Sequence, residues 1–310
     1  MKFRNRRYDR GQSEVHRVEV PVISVGNLSL GGTGKTPLVE WLARWFRQRE
    51  VRVSIVSRGY GAEQGERNDE ALELELALPD VPHLQNPNRV EAAQLAVEEL
   101  ETQLILLDDG FQHRRLGRDL DIVLIDATEP FGFGHVFPRG TLREPLAGLH
   151  RADVMVLSRA DILESAEREK IRLRVSELAP NVTWCEVVHQ PARLMDADGG
   201  ESPLDFQSHE KVAAFCGIGN PAGFRHTLES LGCQLTWWRE FPDHHNYTRD
   251  DVDLLAAWAK DADRILCTRK DLVKLGVAQL GNVPLFAVAI ELAFLHGQDE
   301  LAKVLESIEA

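Results

Sequence analysis

Residues 26–36 read GNLSLGGTGKT, directly after the apolar run VPVISV and directly before an amphipathic run. Glycines let backbone N–H groups approach phosphate oxygens without a Cβ in the way, and a helix start adds partial positive charge. In this arrangement Gly31, Gly32, Thr33 and Gly34 would cradle phosphates. Lys35 would meet the β and γ phosphates, and Thr36 would offer a hydroxyl to Mg²⁺. The common spacing GxxxxGK[ST] has glycine where Ser29 stands here, with Gly31 and Gly32 close behind. A phosphate loop calls for a carboxylate at a neighbouring strand end. The run LILLDD (104–109) supplies two, Asp108 and Asp109. Adjacent carboxylates leaving an apolar strand are costly unless a cation compensates them, so either aspartate is a metal candidate.

Weaker candidates surround this pair. Arg58-Gly59-Tyr60-Gly61 ends a strand, and Asn68-Asp69-Glu70 is read as part of the loop that follows. Arg89 opens a helix, and Gln112 and His113 follow the aspartates. Arg139, Arg143 and Glu144 lie in a Gly/Pro-rich loop (131–145) of the length that often carries function. Asp243-His244-His245 offers metal ligands, a base or a plain surface cluster. Thr268-Arg269-Lys270-Asp271 is only a poor match to the base-reading TKxD of GTPases.

These residues need a scaffold that aims strand ends at one edge. Short apolar strands are predicted at 20–26, 51–58, 104–107, 122–125 and 154–157, with helices at 35–49 and 88–100. Continuous apolar strands separated by helices imply an α/β fold: a P-loop NTPase-like, mostly parallel sheet with helices on both faces. A second alternating set follows, with strands at 212–216, 264–267 and 285–290 and a helix at 221–231. The stretch 191–203, rich in Asp, Gly and Pro, reads as a linker. The predicted domains are therefore 1–195, with 1–19 a basic tail, a smaller α/β domain at 196–291, and a closing helix at 292–310. Packing of that helix back on the first domain is one option.

The chain has 310 residues, 43% hydrophobic and 27% charged, enough for two packed domains. A net charge of −13 argues against a nucleic-acid partner. No stretch reaches the roughly 18 apolar residues of a membrane span, and the N-terminus lacks the apolar core of a secretory signal. The four cysteines form no CxxC pair and read as free buried thiols. Against the acidic whole, Lys2, Arg4, Arg6, Arg7, Arg10 and Arg17 make residues 1–17 basic. The tail is either simply solvated or drawn to an anionic membrane surface.

Taken in order, VPVISVGNLSLGGTGKTP (20–37), SRGYG (57–61), ILLDDGFQHRRLGRDLDIVLID (105–126), FGFGHVFPRGTLREPL (131–146), FCGIGNPAGF (215–224), FPDHHNYT (241–248) and TRKDLVKL (268–275) resemble the tetraacyldisaccharide 4′-kinase family. The resemblance implies transfer of the ATP γ-phosphate, with Mg²⁺, to the 4′-hydroxyl of a lipid A disaccharide 1-phosphate. It also implies work at the cytoplasmic face of the inner membrane as a peripheral protein, held here by the basic tail and by loops. It implies Asp69 as the base with His244 beside it, in a first-domain and second-domain pairing. Lys35, Asp108 and Asp109 join them in catalysis, and Tyr60, Arg89, Gln112, His113, Arg143 and Glu144 would position substrate. A switch or assembly ATPase, or a kinase of another small molecule, is the rival reading.

Overall fold

In the computed structural model, which describes residues 2–59, 69–207 and 209–309, the chain divides into two units. The first comprises the described residues within Met1–Ala62, Asp80–His189 and Leu292–Ala310. The second comprises those within Glu63–Pro79 and Gln190–Glu291. In chain order the elements are α1 (Lys2–Asp9), β1 (Val22–Asn27), α2 (Lys35–Arg47), β2 (Val53–Ser57), α3 (Asp69–Ala77), β3 (His83–Gln85), α4 (Arg89–Leu100), β4 (Leu104–Asp108), β5 (Leu120–Asp126), β6 (Val154–Ser158), α5 (Ser165–Leu178), β7 (Thr183–Met195) and β8 (Glu201–Pro203). They continue with β9 (Val212–Cys216), α6 (Pro221–Ser230), β10 (Leu235–Glu240), α7 (Arg249–Trp258), β11 (Arg264–Thr268), α8 (Arg269–Leu275), β12 (Gln279–Leu280), β13 (Val283–His296) and α9 (Gln298–Glu309).

In the first unit the strand order is β3-β2-β4-β1-β5-β6-β7, and these neighbours pair in parallel. Every residue of β1, β2, β4 and β6 is buried, which is why their sequences are mostly apolar on both faces, with small or strand-end polar residues such as Ser54 and Asp108 among them. β1 lies between β4 and β5, with Val25 opposite Asp108 on one side and Ile122 on the other. The ends of β1 and β4 therefore reach the same sheet edge, the edge where α/β folds bind ligands. On α2, Leu38, Leu42, Trp45 and Phe46 are buried against the sheet at helical spacing.

The second unit has its own parallel set, β10-β9-β11-β13, with a core of Phe215, Leu255, Ile265, Leu272 and Leu285. Helix α3 belongs here, although the sequence counts Asp69 with the first domain and reads it as loop. Asp69 and Glu70 occupy the first turn of α3, where a helix favours acidic side chains. Leu76 joins the second unit's core, and buried Glu73 pairs with Arg269 of α8 at 3.5 Å. Burial pushes the Glu73 carboxyl up, against the pull of Arg269.

Three other stretches differ from expectation. The stretch read as a linker is the end of β7 folded antiparallel onto β8, and Asp196 Oδ1 accepts the Gly200 amide in the turn at 2.7 Å. The Asp, Gly and Pro residues there mark a hairpin, not a connector. Helix α9 begins only at Gln298, because the alternating run up to His296 is still strand. The basic tail is not simply solvated. Residues 2–9 form α1, tied down by Arg4 to the Gln112 carbonyl (2.9 Å), Asn5 to Glu144 (2.5 Å) and Arg114 to Asp9 (2.7 Å). All four cysteines are buried and free, and burial raises the Cys185 thiol to about 12.

Candidate active site

The phosphate-loop glycines stand where β1 turns into α2. Gly34 is the N-cap of α2 at φ 84°, with no side-chain cap across the helix start. Neighbouring strand ends brace the loop: Ser158 Oγ donates to the Thr33 carbonyl (2.8 Å) and Arg159 to the Gly32 carbonyl (3.0 Å). Gly31 and Gly32 are exposed and Thr33 is buried. A Cβ on Gly34 would stand 2.1 Å from Cε1 of His189, a residue that sequence reasoning did not single out. Gly34→Ala therefore combines a left-handed backbone, worth about 1–2 kcal/mol of strain, with a ring that must move. A loss of ATP affinity of roughly tenfold or more is expected, measured by calorimetric titration.

Lys35 and the aspartates converge in the same unit. Lys35 Nζ is 3.6 Å from Asp109 Oδ1 and 3.4 Å from Asn27 Oδ1. Arg143 Nη1 reaches both Asp109 oxygens at 2.7 Å. Burial would raise the Asp109 carboxyl, but Lys35, Arg143 and Arg89 outweigh it and hold it below the usual range. Asp108 is buried, and its Oδ1 accepts the Asp109 amide at 2.9 Å. Thr36, half-buried, follows on the first turn of α2.

Arg89 Nη1 lies 3.1 Å from His113 Nδ1, and Gln112 donates to the Asn27 carbonyl at 2.9 Å. Glu144 has no exposed surface. Its carboxylate is taken up by Arg151 (2.8 Å), Gln112 (3.2 Å) and Asn5 (2.5 Å), so it braces the loop and α1 with no face open to a ligand. Tyr60 lies outside the described residues. The sequence could not separate Arg143 from Glu144, neighbours in one motif, because only packing decides which side chain turns inward.

Two imidazoles in this unit are held neutral. Burial, then the surrounding arginines, lowers His113 to about 4, and burial, then Arg159, lowers His189 to about 4. Each fold-state value lies below the ordinary ~6.5, so the unfolded chain binds the proton more readily. The stabilisation is complete above that ordinary value and is lost as pH falls towards the lowered one, on the order of 1–3 kcal/mol per ring. Chemical denaturation from pH 7.5 to 4.5 should show this loss, and His113→Asn should flatten it.

The second unit carries a separate constellation. Asp69 Oδ2 is 3.1 Å from His244 Nδ1 and 2.8 Å from Lys274 Nζ. Burial alone would raise the Asp69 carboxyl; the Lys274 ammonium and the His244 ring outweigh it and leave it below the usual range. His244 adopts φ 57°, and its amide donates to Asp243 Oδ1 at 3.0 Å. Lys274 sits on α8 inside the run TRKDLVKL, whose polar residues gave no sign of which one turns towards Asp69. His245 points elsewhere, stacked on Phe241 and 3.1 Å from Asp251. His245 thus parts from the Asp243–His244 pair, and among the described residues no group of three or more His, Cys, Asp or Glu could hold a metal. Asp271 is fully buried, accepting from the Gly217 amide (3.0 Å), Tyr247 (2.8 Å) and Thr268 (2.6 Å). It is committed to internal bonds and does not read a base.

A parallel sheet, a glycine loop opening a helix at its edge, and a lysine and two aspartates beside that loop place the chain in the phosphate-loop class of α/β proteins. The family model described as tetraacyldisaccharide-1-P 4′-kinase matches residues 1–309. The tetraacyldisaccharide 4′-kinase of Anaeromyxobacter sp. (strain K) is 39% identical over 324 residues, spanning 97% of this chain and 85% of its own. That of Halothermothrix orenii is 37% identical, spanning 93% and 84%. The crystal structure of LpxK from Aquifex aeolicus in complex with ATP superimposes with a TM-score of 0.82 at 31% identity, covering all of this chain and 95% of that one. This chain belongs to the tetraacyldisaccharide-1-P 4′-kinase family and is a kinase.

Proposed function

We infer that this chain transfers the γ-phosphate of ATP to the 4′-hydroxyl of a tetraacyldisaccharide 1-phosphate, a lipid A precursor, at the cytoplasmic face of the inner membrane. The phosphate-loop amides and Lys35 hold the triphosphate. Thr36 and Asp108 are hard oxygen donors of the type Mg²⁺ selects. Asp109, which meets Lys35 and Arg143, is the second carboxylate that could join them. Mg²⁺ supplies charge neutralisation at the β and γ phosphates. Arg143 is held ready by Asp109, and Arg89 by His113, at positions suited to an anionic substrate. Asp69, with His244 beside it, accepts the proton of the attacking hydroxyl. Catalysis of this kind is positioning and charge compensation.

The Asp69–His244 pair carries this reading over the switch ATPase, which has no use for a base serving an alcohol. Residues 26–33 also lack the extra lysine that assembly ATPases carry near the loop start. Among the described residues no helix is long and apolar enough to cross a membrane, so attachment is proposed to be peripheral. The test is incubation of γ-labelled ATP with the disaccharide 1-phosphate in detergent. Label should enter the lipid in step with ADP formation. Release of free phosphate alone would assign the chain to the switch class.

A further inference from the structure

Three sequence runs, FCGIGNPAGF, FPDHHNYT and TRKDLVKL, meet around one turn of the second unit. β9 and β11 pair in parallel, so Gly217, just after β9, and Asp271, in the first turn of α8 just after β11, come to the same sheet edge. Asp271 has no exposed surface, a costly place for a carboxylate unless its lone pairs are taken. Here they are taken. Oδ1 accepts from the Gly217 amide (3.0 Å) and the Tyr247 hydroxyl (2.8 Å), and Oδ2 from the Thr268 hydroxyl (2.6 Å). Burial, then Asp271, pushes the Tyr247 hydroxyl up, so it stays protonated and donates. Its ring is held edge-on by Phe215, Phe241 and His245, at 5.8, 5.2 and 4.9 Å between centroids. A Cβ on Gly217 would stand 3.2 Å from both Asp271 Oδ1 and the Tyr247 oxygen and 3.3 Å from His245 Cβ, so a side chain there would crowd all three.

The bonds of Asp271 lead on to His244. Gly217, held by its N–H, uses its own carbonyl to accept the His244 amide at 3.2 Å. His244 needs such a hold. Its side chain is 67% exposed and its backbone is left-handed at φ 57°, so neither burial nor backbone preference fixes it. Its Nδ1 nevertheless faces Asp69 Oδ2 at 3.1 Å. Lys274, three residues after Asp271 and on the same face of α8, donates to the His245 carbonyl at 3.3 Å and meets Asp69 at 2.8 Å. α8 thus grips the 244–245 turn at two points, Asp271 through Gly217 and Lys274 directly.

We propose, on the reading that Asp69 and His244 form the base, that Asp271 is a positioning residue for phosphoryl transfer: with Tyr247 it fixes Gly217, and through Gly217 it holds His244 against Asp69. The TRKD run, a poor match to a nucleobase reader, is then the foundation of the turn that accepts the proton. The aspartate touches neither nucleotide nor acceptor, and its effect passes through the His244 backbone. A base that must meet a hydroxyl in line with the phosphate tolerates little drift, and an exposed side chain on a strained residue drifts unless its backbone is pinned.

A kinetic cycle on the full chain, with ATP and the disaccharide 1-phosphate in detergent and circular dichroism as the fold control, tests this. Asp271→Ala strands the Gly217 amide and the Tyr247 hydroxyl. A displacement of about 1 Å is worth up to ~10²-fold, so kcat should fall roughly 10–100-fold while the KM for ATP stays within about twofold. Asp271→Asn keeps an oxygen for both donors and should recover kcat to within about threefold of wild type. In a His244→Ala background Asp271→Ala should cost less than about a further twofold, because the residue it acts through is gone. Tyr247→Phe removes one hydroxyl and keeps the ring, and it carries the same test should Asp271→Ala not fold. Its kcat should fall roughly three- to tenfold, again only where His244 is present. Losses that multiply with that of His244→Ala, or a KM for ATP that rises in step with the fall in kcat, would overturn the proposal. A near-normal kcat in the Asp271 and Tyr247 variants beside a deep loss in His244→Ala would strike Asp271 alone and leave the base standing. A near-normal His244→Ala enzyme would remove the base and Asp271 with it.

Discussion

Lys35→Ala should lower kcat by two to four orders of magnitude, roughly 3–5 kcal/mol of lost transition-state stabilisation, and leave the fold intact. The Lys35 side chain is only 12% exposed, and its ammonium faces Asp109 and the Asn27 amide oxygen. At the start of α2 it is placed to follow charge as it moves from the transferred phosphoryl group to the leaving ADP. Alanine is the best helix former, and Asp109 keeps Arg143 Nη1 across both of its oxygens, so neither helix nor carboxylate is left unsupported. Lys35→Arg should restore little. A planar guanidinium cannot replace a compact ammonium in a loop braced by Ser158 and Arg159. Steady-state kinetics with a circular-dichroism control gives the answer. Turnover within tenfold of wild type would remove Lys35 from the phosphate-holding role.

What could be read in the sequence depended on how local the cause was. The strand ending at Asn27, the glycine turn and the helix from Lys35 are specified within 26 residues of one another, by continuous burial on one side and amphipathic spacing on the other. Asp108 and Asp109 were visible for the same reason: an apolar strand that ends in carboxylates has few other uses. Asp69 was visible as a residue type but not as a place. Its membership of the second unit depends on α3 packing on α8, through Glu73 with Arg269 and through Leu76 in a core assembled from residues between Ala213 and Ala287, far later in the chain. Lys274 was hidden by the same distance. The hairpin at 191–203 was misread because Asp, Gly and Pro mark a tight turn and a linker alike, and only the partner strand separates them. The buried state of Glu144 had no signal in its own motif, because its partners Asn5 and Arg151 come from elsewhere in the chain.

The placement of Asp69 changes what a mutational cycle should show. Were Asp69 and His244 on different units, domain closure would assemble the base. Both belong to the second unit, so the pair exists before any nucleotide binds. Asp69→Asn and His244→Ala should each lower kcat by about 10²–10⁴-fold, the range for a positioned acid–base group, and leave the KM for ATP nearly unchanged. The double variant should be little worse than the worse single one, because the residues act as a unit. Lys274 adds a signature that a merely structural role would not give. Its ammonium helps to hold the Asp69 carboxyl below the usual range, so the base stays ionised through mild acid. In Lys274→Met burial acts unopposed by that charge, and the carboxyl rises. The acid limb of kcat/KM should then move to higher pH, towards or above the ordinary ~3.9 of an aspartate. The double-mutant cycle at saturating ATP and acceptor, with pH profiles of wild type and Lys274→Met, measures all of this. Multiplicative losses would mean that the two residues work independently. A near-normal Asp69→Asn enzyme would move the base to Asp108 or Asp109, and an unmoved acid limb would detach Lys274 from the chemistry.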